Sequence, residues 1–82
     1  MDDSKLLERI AINPKVMVGK PVIRGTRLTV QHIVGFLASG MIIDEILQEY
    51  MGLTREDVLA SILLAKEGLE TTTFAPLSSE GV

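Results

Sequence analysis

The chain has 82 residues, 46% of them hydrophobic, a net charge of −3 and no cysteine. That length supports one small core, and the lack of cysteine excludes a disulfide framework and a cysteine-ligated zinc site. No run approaches the roughly 18 apolar residues that span a bilayer, so a soluble, cytoplasmic protein with no membrane partner is expected.

Residues 1–9 read as a flexible N-terminus that holds at most a loose helical turn capped by Ser4. Ile10 to Ile12 is a short β-like run that stops at the turn dipeptide Asn13-Pro14, and Val16 to Val18 is a second such run. The stretch Gly19 to Val30, GKPVIRGTRLTV, then combines hairpin chemistry with charge. Val22 and Ile23 favour a strand, Gly25 permits a turn with positive φ, and Leu28 to Val30 resumes β-type chemistry. Between Ile10 and Val30 there are four bases, Lys15, Lys20, Arg24 and Arg27, and no acid. The positive charge is local on an acidic chain.

From Thr29 the period changes to that of a helix. Val30, Ile33, Val34 and Leu37 fall on one face, with Thr29 as N-cap and Gly40 just past the end. A second, short helix carries Ile43, Ile46, Leu47 and Tyr50 and closes at Gly52. Thr54 caps the third and strongest helix, where Glu56 and Asp57 favour the positive end of the helix dipole, and it ends near Gly68 or Glu70. A short helix, a turn holding Gly52 and a longer helix follow the helix-turn-helix layout. Residues 71–82, TTTFAPLSSEGV, have no period and read as a flexible C-terminal tail.

The run Ile10-Ala11-Ile12-Asn13-Pro14, the stretch Gly19 to Thr29 and the opening Leu53-Thr54-x-x-Asp57 together resemble the signature of the domain-of-unknown-function 433 family. The resemblance covers about residues 9 to 68 and implies a single domain over residues 10–70. One departure is Ile43 before Asp44, where that family often has a small polar cap. The implied fold is mostly α with a short N-terminal β-hairpin, a three-helix helix-turn-helix domain of the winged-helix or homeodomain-like kind. Members described as antitoxins imply regulation or binding without enzymatic activity.

The third helix has more apolar residues than one small core needs, and a small fold without cysteine or metal staples gains from assembly. Val58, Leu59, Ile62 and Leu63 are therefore expected at a homodimer interface, against the plainer alternative that the rest of the domain wraps them. Residues 44–70 hold seven acids and two bases, Arg55 and Lys66, a net charge of −5 that would repel a duplex unless the acids face away. Phosphate contact is assigned instead to Lys20, Arg24, Thr26 and Arg27 of the hairpin, with Arg55 beside them, against the alternative that Arg24 or Arg27 pairs with Glu45 or Glu49. In the tail, Phe74 and Leu77 are candidate apolar anchors for a partner.

Other chemistries fall away on spacing. A phosphate loop needs glycine where Pro14 stands and a hydroxyl where Pro21 stands. His32 has no nucleophile or acid at a triad spacing, and the Glu45/Glu49 pair reads as a solvated helix face, so no catalytic residue, metal or cofactor is assigned. The expected function is that of an antitoxin-like component, with a cognate toxin and its own promoter DNA as partners. The competing expectation is an interaction module that dimerises or binds a partner without DNA.

Overall fold

Ile33, Ile46 and Val58 come from three different helices and are all fully buried, which places the centre of the core where those helices meet. Burying each such side chain contributes about 1.5–3 kcal/mol, so this junction dominates the packing energy of so short a chain. The computed structural model describes residues 2–15 and 17–71. Its elements are α1 (Asp3–Leu7), β1 (Ile10–Ala11), a 3-10 turn (Met17–Gly19), β2 (Val22–Ile23), α2 (Val30–Ala38), α3 (Ile43–Glu49) and α4 (Arg55–Glu70). The protein is mostly helical, with a short antiparallel strand pair near its N-terminus.

The strands pair with Ile10 opposite Ile23 and Ala11 opposite Val22. β2 also meets the segment that follows it: Val22 bridges Thr29, the Ile23 N–H donates to the Leu28 carbonyl at 3.0 Å, and the Val30 N–H donates to the Pro21 carbonyl at 2.9 Å. The expected hairpin is thus the second half of a three-segment ribbon. Its turn is closed by the Thr26 N–H donating to the Ile23 carbonyl at 2.9 Å. Gly25 sits at φ +82°, the third position of a turn that favours glycine there.

α2 starts where the sequence places it, the Thr29 hydroxyl accepting from the His32 N–H at 3.0 Å. Past its end Gly40 takes φ +103°, the left-handed cap conformation. α4 also begins as expected, with Thr54 accepting from the Asp57 N–H at 3.2 Å while Asp57 accepts from the Thr54 N–H at 3.0 Å. This is a reciprocal box that satisfies two otherwise orphaned donors. Only residues 51–53 separate the C-cap Tyr50 of α3 from the N-cap Thr54 of α4.

Three local readings change. Residues 3–7, expected as a loose end, form a helix whose cap is Asp2 and not Ser4, and its Leu6 is buried in the core where α1 packs on α4. The β-like run at Val16 to Val18 is a 3-10 turn over its described residues, with Val18 at φ +55°, a conformation costly for a β-branched side chain. Ile43, expected at the cap, is the first residue of α3, so the N-cap is Ile42, which offers no side-chain cap, and the Glu45 carboxylate instead accepts from the Ile42 N–H at 2.9 Å. Half a capping box does the work of the missing small polar residue.

Candidate functional site

The expected phosphate clamp divides into structural and free residues. The Arg24 guanidinium donates from Nε to the Glu8 carbonyl at 2.7 Å and from Nη2 to the Ile10 carbonyl at 2.9 Å, while its own N–H donates to the Arg9 carbonyl at 2.8 Å. Arg24 therefore straps the hairpin turn to the end of α1 and β1, and it pairs with neither Glu45 nor Glu49. Thr26 is likewise spent inside the turn: its hydroxyl donates to the Ile23 carbonyl at 2.8 Å and accepts from the Leu28 N–H at 3.0 Å. Neither residue stands in the free state that the clamp assumes.

Lys20 and Arg27 are exposed and make no hydrogen bond or ion pair among the described residues. They line different clefts. Lys20 faces the start of α2 with Thr29, Gln31 and His32 in a space of about 460 Å³. Arg27 lies with Leu28, Tyr50, Met51 and Leu53 in another of about 420 Å³. Arg55, the first residue of α4, lines a third beside Ile42 and Asp44. Of the five residues assigned to one contact, Arg24, Thr26 and Arg27 stay on one turn, whereas Lys20 and Arg55 line other clefts.

Arg9 adds a polar link between the N-terminal segment and the start of α4, beside the packing of Leu6. Its Nη1 donates to Asp57 Oδ1 at 3.1 Å and to Thr54 Oγ1 at 3.3 Å, so one carboxylate closes both the α4 capping box and an ion pair. Asp57 is 6% exposed, and both of its oxygens have partners. The joint borders an open cleft of about 580 Å³ shared with Lys5, Glu8 and Arg24. Its donors and acceptors mostly satisfy one another, so the joint does not present a reactive group. Nothing local could have revealed Arg9, because its partner stands 48 positions away.

The expected dimer face is partly core. Val58 is fully buried in the protomer's own interior, which removes it from any contact surface, and a change there reports on folding alone. Leu59 and Leu63 are half-buried and pack against the core, whereas Ile62 is 41% and Leu69 57% exposed. The spacing of 59, 62, 63 and 69 puts all four on one side of α4, an apolar stripe interrupted by the exposed Lys66–Glu70 ion pair at 3.6 Å and only partly covered by the described residues. Phe74 and Leu77 lie outside the described residues.

His32 is exposed on α2 and meets Phe36 edge to face, with ring centroids 4.5 Å apart. Phe36 in turn stacks on Tyr50 at 5.2 Å and an interplanar angle of 30°. This ladder pins the end of α3 to α2. Among the described residues no group of three or more His, Asp or Glu side chains comes together at metal-binding distance, and no helix is long and apolar enough to cross a membrane.

A family model described as "Protein of unknown function (DUF433)" matches residues 10–65, from β1 to within α4. The fold is similar to the crystal structure of a DUF433 member protein from Anabaena variabilis ATCC 29413, with a TM-score of 0.73 and 34% sequence identity. That similarity covers 82% of this chain and 66% of the other, so the chain spans just under two thirds of its neighbour's length. No curated protein matches.

Proposed function

The chain belongs to the DUF433 family, and from that premise we propose that it is an antitoxin-like interaction module that acts by binding and not by catalysis. The observation that carries this reading is the uncovered side of α4, where Ile62 and Leu69 stand in water beside half-buried Leu59 and Leu63. A chain of this length supports only a marginal core, and covering that stripe with a second copy adds apolar burial at no cost in further sequence. The toxin as further partner enters through the family resemblance alone. Ile62→Glu tests the module: sedimentation should show a dimer for the native chain at micromolar concentration and a monomer for the variant, with unchanged circular dichroism. A native monomer, or a variant that still dimerises, overturns this reading.

A second reading, contact with promoter DNA, has the unpaired Lys20 and Arg27 in its favour. The exposed positions of α4 are Arg55, Ile62, Lys66, Gly68, Leu69 and Glu70, with Lys66 paired to Glu70, a poor set for reading base edges, so the DNA term is phosphate contact from the ribbon. The double change Lys20→Ala/Arg27→Ala should weaken binding evenly across sequences and reduce the slope of log K against log salt by about 1.8, two phosphate contacts at about 0.9 each. A gel-shift series over salt, on the DNA upstream of the gene, measures it. An unchanged slope leaves the interaction module without DNA.

A further inference from the structure

The cleft beside Arg27 combines apolar walls with a single cation and no acid, unlike the apolar cleft at the start of α3, which holds both Asp44 and Arg55. Its walls are Leu28, Tyr50 and Leu53, its rim is Met51, and Arg27 is the only charged residue that lines it. At about 420 Å³ it lies in the range that holds a small ligand or one large side chain. Both walls are preorganised. On one side the turn is fixed by the two hydrogen bonds of the Thr26 hydroxyl. On the other, Tyr50 is held by its stack on Phe36, and the Leu53 N–H donates to the Tyr50 carbonyl at 3.1 Å. Met51 is 95% exposed, a flexible apolar side chain placed where nothing in the described fold uses it.

An apolar slot with one unpaired cation and no acid selects by exclusion. A basic ligand meets Arg27 with like charge. A polyphosphate gains one cation and leaves the apolar walls in contact with water. A group with an apolar body and a single carboxylate satisfies both features. We propose that this cleft docks a segment of a partner protein in which a large apolar side chain stands next to an acidic residue, the apolar group between Tyr50 and Leu53 and the carboxylate on Arg27. The proposal rests on the interaction-module reading and adds a contact separate from the α4 stripe.

Phenylbutyrate is the minimal probe of that chemistry, with phenylbutylamine as its charge-reversed control. In two-dimensional amide NMR of the isotope-labelled full-length chain, phenylbutyrate should shift residues 26–28 and 51–53 with millimolar affinity. The amine should bind up to about fivefold more weakly, the range of one exposed charge pair, and Arg27→Gln should abolish the difference between the two. Shifts that map elsewhere, or equal binding of acid and amine, overturn the proposal. So do cleft shifts that track protein concentration without the probe, which would seat a second copy there, and probe-induced shifts in residues 72–82, which would make the chain's own end the occupant. Ile62→Glu keeps the two readings apart: probe binding that persists while α4 association fails leaves this cleft standing, whereas normal association without probe binding removes the cleft alone.

Discussion

Replacing Asp57 by alanine should lower the thermal midpoint by about 5–30 °C, more than any other change to a charged residue described above. Two losses add, because the Thr54 hydroxyl still accepts from the backbone N–H of residue 57 in the variant. The Thr54 N–H, which now donates to Asp57 Oδ2 at 3.0 Å, loses its acceptor in a part-buried position, at about 1–3 kcal/mol. The ion pair to Arg9 adds less than about 1 kcal/mol, since the Arg9 side chain is 41% exposed and screened by solvent. A total of about 1–4 kcal/mol converts to that shift at about 4–8 °C per kcal/mol for a domain of this size. Asp57→Asn keeps one acceptor and should lose about half as much, and Arg9→Ala should cost no more than about 1 kcal/mol. Calorimetry on the three variants decides: if Arg9→Ala is as damaging as Asp57→Ala, the ion pair and not the cap holds α4 to the N-terminal segment.

Ile46→Ala should cost about 2–5 kcal/mol, because the side chain has no solvent exposure and its removal leaves a cavity between α2, α3 and α4. Against a total stability of about 4–12 kcal/mol for a chain of this length, that is a large share. Urea unfolding should show a lower midpoint with an unchanged slope, the sign of lost packing without a change in the surface exposed on unfolding. Leu69→Ala is the control: at 57% exposure it should stay within about 0.5 kcal/mol of the native chain when monomeric. A loss below about 1 kcal/mol for Ile46→Ala would mean that the centre of the core lies elsewhere.

Local periodicity and capping chemistry were enough to place α2 and α4, to mark Gly25 for a turn with positive φ and to set Gly40 just past the end of α2. These features depend on neighbours within four or five positions, which is what a sequence displays directly. Family membership was legible for a related reason, since the Gly19 to Thr29 run is a dense local pattern inside the matched residues 10–65. Tertiary structure decided the roles of the charges. Arg24 turned from a phosphate contact into a strap because the carbonyls of Glu8 and Ile10 come within 2.7 and 2.9 Å of its guanidinium, a meeting that requires β1 to pair with β2. Arg9 found Asp57 across 48 positions, and Val58 left the expected dimer face because it is fully buried in a core shared with residues of α1, both strands, α2 and α3. Sequence states which residues carry charge or an apolar surface, but whether a donor is spent inside the fold or a side chain is covered depends on distances between segments far apart in the chain, and those exist only once the chain has packed.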